Sequence, residues 1–421
     1  ANRMIREFFH FLNHSIKMSR LFIILTTIWQ FFKTSFQNSN FWRTFKVSST
    51  IFSWLEHFPK FESELFLKLI HPAIIFPFIF LIFITLSDYI LSGYSYTVLY
   101  LCLIAFSLTA WFASKTQVKS KSILPIDAAA VLGTILFIIG FSFLLIGLIE
   151  ANGIPMLNPN LRQLLKVETV YLAFLFVPGT LFLVGYIGDL AQQRKLSTQI
   201  ARNWVLLLSI ISAVLINLLG YRTETLVLLI GIFFIATYLK LFRLSESIVF
   251  VVSIILVTLG LSFLRQFWIG GTFTTAVISS RIGASLAAFD YLASKSGLTG
   301  ITHGLVYLSC FWFLHIVPFG PRTLITQYLG GREFISTTST LFGPIVVDFG
   351  VVGVIIIVSI LGAIVGLGHK LSLVTKNGFI IATHSLLFAF ILVGIETGLV
   401  DFIVIIYFII GSLILLAGVV R

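Results

Sequence analysis

The sequence predicts an all-α, polytopic integral membrane protein of about ten transmembrane helices, with one large loop holding helical and re-entrant segments. Hydrophobic residues make up 58% of the 421-residue chain and mean hydropathy is +1.05, far above a soluble domain. Charged residues are only 10% of the chain and gather between long apolar runs. Those runs reach the ~20 residues that a helix needs to cross a bilayer, and helices satisfy their own backbone where water is absent.

Residues 1–70 read differently from the rest. Aromatic and basic positions alternate (Arg3, Arg6, Lys17, Arg20, Lys33, Arg43, Lys46), with polar breaks at 35–40 and at Pro59. The apolar run 21–32 is too short to cross, so this region is expected to form amphipathic helices on the cytoplasmic face. A pair of short spans is the alternative, and it leaves the downstream orientation unchanged. No removable signal peptide is expected. Residues 71–421 form the transmembrane domain, with apolar runs near 72–91, 96–113, 127–149, 168–190, 203–219, 223–239, 247–264, 341–367, 379–397 and 399–420.

The connections 114–126, 192–202, 240–243 and 369–376 are basic and fall on one side, which the positive-inside rule makes cytoplasmic. Both termini are then cytoplasmic and the membrane is the cell membrane. This topology leaves 20 of the 28 basic residues inside and 8 outside: Arg162, Arg222, Arg265, Arg281, Arg322, Arg332, Lys166 and Lys295. Orientation alone does not favour arginine over lysine outside. A guanidinium pairs two-to-two with phosphate or carboxylate, so the bias points to an anion held at the outer boundary. The net charge of +12 is accounted for by orientation and anionic lipid, without nucleic acid.

The outer connection 265–340 is far longer than an ordinary loop, and such loops tend to be functional. It contains a predicted helix at 276–294 and an apolar stretch, 304–318, read as re-entrant or interfacial because a full span there reverses the next segment. Within it, Arg322 and Arg332 bracket Gly330–Gly331 and make a candidate pyrophosphate clamp. Arg222 and Arg265 stand at the outer ends of two spans, Arg162 follows Pro155 and Pro159, and Arg281 opens the loop helix. For each, a snorkelling or solvated arginine is the structural alternative. Candidate bases are His303, His315, Glu333 and Asp348, with packed or paired side chains as the alternative. Cys102 and Cys310 lie far apart in apolar surroundings and carry no role. No HExxH, DxD, GxSxG or Walker pattern is present, so neither metal nor cofactor is expected.

Four features together resemble a known family: GIPMLN followed by Arg162, GYRTETL with Arg222, GITHGLVYL paired with PFGPR, and STTSTLFGPIVVDFGVVGVIIIVSILGAIVG. They look like the oligosaccharide repeat-unit polymerases, the O-antigen-polymerase-like group, over roughly residues 70–420. Arg-Thr-Glu-Thr in place of an Arg-Ser pattern, and Ile-Val-Val before Asp348, depart from that group and leave the substrate open. The resemblance implies a GT-C-like membrane glycosyltransferase acting on polyprenyl-pyrophosphate-linked oligosaccharides, both donor and acceptor, at the outer leaflet. It implies polymerisation into a surface polysaccharide, and it leaves room for a flippase and a chain-length regulator as partners. On this reading the arginines stabilise the pyrophosphate leaving group, and His303 or a carboxylate such as Glu333 assists attack. A ligase moving glycan to another acceptor, and a flippase for lipid-linked sugars, remain open.

Overall fold

A computed structural model describes residues 67, 69–118, 127–268, 275–314, 317–331 and 337–419. Regular structure among them is helical throughout. The first helices are α1 Pro72–Thr85, α2 Gly93–Ser114, α3 Asp127–Glu150, α4 Val167–Phe174, α5 Phe176–Gln192, α6 Thr198–Leu218 and α7 Arg222–Tyr238. There follow α8 Leu244–Trp268, α9 Thr275–Ser296, α10 Leu305–Leu308, α11 Pro321–Tyr328, α12 Gly343–Thr375, α13 Gly378–Thr397 and α14 Phe402–Val419. Two 3-10 turns, Pro159–Leu164 and Ser309–Leu314, complete the described elements.

Each apolar run read from the sequence is a helix, and eight crossings are long and apolar enough to span a membrane. Two of the ten anticipated spans fall short, α1 at 14 residues and α7 at 17. Helix α7 is short for a reason: it is enclosed by protein almost from Glu224 to Tyr238, so it does not have to match the thickness of lipid. Helices α4 and α5 make one crossing broken at Leu175, where Pro178 has no amide to donate to Phe174. The apolar helices differ mainly in what surrounds them. Some 94% of the apolar window of α13 is buried, against 11% for α8, which places α13 at the centre and α8 on the lipid-facing perimeter.

Small residues set a close helix pair. On α12 an ideal Cβ at Gly362 would come 2.5 Å from the Phe106 carbonyl oxygen, and one at Gly366 would come 2.2 Å from that of Ala110. This four-residue glycine spacing lets α12 lie backbone to backbone on α2, the arrangement that drives helix association where water exclusion cannot.

The expected connection at 369–376 is not a loop. Helix α12 runs on to Thr375 and the turn is only Lys376–Asn377. The reason is His369, which is buried and meets the Tyr238 hydroxyl at 2.5 Å through Nδ1, while His384 Nε2 meets the same hydroxyl at 3.1 Å. A polar residue that pattern reading assigns to solvent is thus held in the bundle by a tyrosine of α7.

The connection between α8 and α12 marks one end of the molecule, called here the long-loop end. Its helix α9 covers the predicted 276–294, and Asp290 anchors it by accepting from the Tyr89 hydroxyl at 2.8 Å and the Ser92 hydroxyl at 2.5 Å. Partial burial pushes the Asp290 carboxyl up, but hydrogen bonds from Ser92, Ser95 and Tyr89 outweigh it and hold it below the usual carboxylate range. The stretch 304–318 forms only α10 and a 3-10 turn in its described part, too short to cross.

Gly366→Ala should lower stability by about 1–3 kcal/mol, read as a fall in the detergent melting temperature, because its methyl meets backbone that cannot yield. Gly260→Ala on α8, where a Cβ meets nothing within 4 Å, should melt like the parent or slightly higher.

Candidate active site

The long loop is fixed to the bundle by a break in α12. At Gly350 the backbone turns to φ 65° and ψ −168°, inside a helix otherwise 33 residues long. Side chains rarely adopt that φ, and a Cβ here would lie 2.3 Å from Leu298 backbone, so both conformation and space require glycine. The break frees backbone groups that the 297–302 segment takes up. Val347 oxygen accepts from the Ile301 amide at 2.7 Å and the Thr302 amide at 3.2 Å, and the Val351 amide donates to Gly297 oxygen at 3.1 Å.

Asp348, a candidate base from the sequence, lies in this junction with no exposed surface. Its Oδ1 accepts from the Val306 amide at 2.9 Å and from the Thr302 hydroxyl, and its Oδ2 accepts from the Tyr307 amide at 2.8 Å. A carboxylate so occupied holds α10 in place. The Thr-rich approach adds stitches, with Thr338 bonded to Ser285 of α9 at 2.9 Å and Thr337 to Thr326 of α11 at 2.9 Å.

The candidate arginines do not all go to one place. Arg162, on the 3-10 turn capped by the Asn158 side chain, lies 4.4 Å above the Tyr221 ring. Arg322, at the start of α11, pairs through Nη2 with Asp401 Oδ2 at 2.6 Å. Helix α4 links the two surroundings: its Phe174 packs at 5.0 Å on Tyr221, beneath Arg162, and its Tyr171 packs at 5.9 Å on Phe402, the residue after Asp401. In both arginines Nε is buried and without a hydrogen-bond partner among the described residues. Arg281 pairs with Glu396 at the end of α13 at 2.5 Å, close in sequence to Asp401. Arg222 donates to the Ser262 hydroxyl of α8 at 3.0 Å. His303 is exposed in a left-handed turn (φ 49°) beside Thr302. The Arg265 side chain and residues His315, Arg332 and Glu333 lie outside the described residues.

Around Asp401 stands a basin of rings that pattern reading did not anticipate. Phe402 packs at 5.0 Å on Phe313, 5.2 Å on Phe311 and 5.9 Å on Tyr171, and all four are half-buried. Below, Glu224 is 4% exposed, and its Oε2 has no partner among the described residues. Half-buried aromatic faces beside paired charges suit a ligand that is part apolar ring face and part hydroxyl or phosphate.

Residues 69–408 match a protein-family model described as "Putative O-antigen polymerase". The chain belongs to this O-antigen polymerase family. Over 279 residues it is 32% identical to an uncharacterized protein of Methanocaldococcus jannaschii, covering 66% of this chain and 74% of that one. No solved structure matches. The matched range runs from α1 into α14 and takes in Arg162, Tyr221, Arg322, Asp348 and Asp401.

Sequence reasoning passed over Asp401, Glu396 and the ring basin. A signal for Asp401 was present, since a carboxylate interrupting the apolar runs of α13 and α14 is costly unless paired. Its partner lies 79 residues away, and no local pattern names it.

Asp348→Asn should loosen the loop by about 1–3 kcal/mol, because the amide keeps one accepting oxygen but sets an NH2 against a buried N–H that the carboxylate now satisfies. Limited proteolysis checks it. Faster cleavage within 297–331 is expected, and an unchanged digestion pattern would count against the latch.

Proposed function

We propose that this O-antigen polymerase family member is a membrane glycosyltransferase that joins oligosaccharide repeat units carried on polyprenyl diphosphate into a surface polysaccharide. It works in the cell membrane with the long-loop end outward. The basic connections 114–126, 192–202 and 240–243, with Lys370 and Lys376, face the cytoplasm, and so do both termini. The observation that carries the reading is that Arg162, on Tyr221, and Arg322, on Asp401, come from distant segments linked through the rings of α4, each with an idle Nε donor.

The chemistry follows from the leaving group. As the bond between the anomeric carbon and the phosphate oxygen breaks, negative charge grows on the lipid diphosphate. Fixed guanidinium groups in a poorly hydrated site stabilise that charge without a metal or nucleotide, because donors already in place need no reorganisation. Arg162 and Arg322 serve as the principal pair, and Arg222, Arg265, Arg281 and Arg332 as flanking cations for the diphosphate and its glycan. A base near the acceptor hydroxyl, His303 or a carboxylate, assists attack, and Asp348 holds the loop that carries Arg322. The half-buried rings of Tyr171, Phe311, Phe313 and Phe402 offer apolar faces on which sugar rings stack.

In a membrane assay with lipid-linked repeat units, Arg162→Ala and Arg322→Ala should each lower polymer formation roughly a hundredfold while inserting normally. Lysine at either position should restore little, since a point charge cannot replace a two-pronged contact. Polymer of normal length from both alanine variants would remove the proposal. A single glycan addition in place of a ladder would instead identify a ligase.

A further inference from the structure

Resting on the diphosphate reading above, the geometry points to Asp401 as the base of the transfer, held masked by Arg322 until the donor arrives. Four carboxylates at this end differ in their surroundings. Asp348 accepts from two backbone amides and a hydroxyl, and Glu224 is only 4% exposed. Glu396 and Asp401 are each paired with an arginine and about a third exposed, at 32% and 37% of the side chain, but of the two it is Asp401 that adjoins the ring cluster, next to Phe402, whose ring packs on Tyr171, Phe311 and Phe313.

A second observation separates Asp401 from an ordinary structural aspartate. It immediately precedes α14, and its carbonyl accepts from the Val404 amide at 3.0 Å and the Ile405 amide at 3.1 Å, as a capping residue's does. An aspartate at that position ordinarily turns its side chain onto the first-turn amides. Among the described residues this one makes no such bond and reaches Arg322 at 2.6 Å instead. The Arg322 fork is thus half used: Nη2 is on Asp401, and Nε is buried and idle. A diphosphate offers that fork a doubly charged partner and competes directly with the single carboxylate.

The step then runs as an exchange. Donor diphosphate takes over Arg322, with Arg162 on its other side, and the Asp401 carboxylate is released into the basin. The acceptor hydroxyl oxygen attacks the anomeric carbon while the anomeric carbon–phosphate bond breaks. The electron pair of that bond leaves with the lipid diphosphate, and the hydroxyl proton passes to Asp401, which later gives it to water. An acceptor hydroxyl therefore meets a free base only when a donor is in place.

The test uses the full chain in nanodiscs, farnesyl diphosphate as the probe, and calorimetric titration. Asp401→Asn should bind the probe about two- to fivefold tighter than the parent, the gain expected from removing a partly exposed ion-pair competitor. Polymer formation in the same variant should be lost, and Asp401→Glu should recover part of it. Asp401→Ser, which keeps a capping side chain, serves as a second variant with the same expected directions. Weaker binding in both Asn and Ser variants would mean that Asp401 merely holds Arg322 in place, and would overturn the proposal, as would normal polymer from either. Equal binding by the parent and Arg322→Ala would instead overturn the diphosphate reading, whichever way Asp401 behaves.

Discussion

A backbone broken inside a membrane bundle must find partners for the groups it frees, and that requirement organises the long-loop end. The break at Gly350 leaves the Val347 carbonyl and the Val351 amide without helical partners, and the segment 297–302 supplies them. Asp348 completes the junction by capping α10, which fixes where the chain runs next. From there the 3-10 turn brings Phe311 and Phe313 onto Phe402, and α11 brings Arg322 onto Asp401. The position of the proposed chemistry thus depends on one glycine that has no side chain to clash and one aspartate whose two oxygens both accept from the loop.

Charge distribution follows the same economy. Helix α13 is buried along its length and carries no charge until Glu396, where it reaches the long-loop end and meets Arg281. Helix α7 admits charge only in its first turn, with Arg222 directed at Ser262 and Glu224 enclosed. At the other end of α7 the polar groups are Tyr238, His369 and His384, joined through one hydroxyl. Among the described residues the ion pairs Arg281–Glu396 and Arg322–Asp401 stand at the long-loop end, while the more buried pair Arg202–Glu246 joins α6 to α8 at the opposite end.

Much of this architecture was legible in the sequence, and the failures have physical causes. Apolar runs reveal the helices because bilayer solvent imposes length and composition residue by residue, so 276–294 is readable locally, whereas 304–318 is read as non-spanning only from the direction a span there would force on the next segment. The connection at 369–376 misled because a histidine that resembles a loop residue is satisfied by Tyr238, a contact between distant segments. The charge of Asp348 drew notice, but only the fold shows that its oxygens are spent on backbone amides. The side of the membrane names six arginines and chain proximity pairs Arg322 with Arg332, but neither says which of them meet, and Asp401 escapes notice because its meaning lies in a partner on another segment. Pairing across the chain is the part that local pattern does not carry.

The central claim is that guanidinium groups of Arg162 and Arg322 jointly hold a lipid diphosphate at the long-loop end. An experimental structure of the chain in nanodiscs with a polyprenyl diphosphate bound tests it most directly. Phosphate oxygens are expected about 3 Å from both guanidinium groups, with Arg322 drawn off Asp401. Diphosphate seated elsewhere, with Arg322 still on Asp401, would contradict the account.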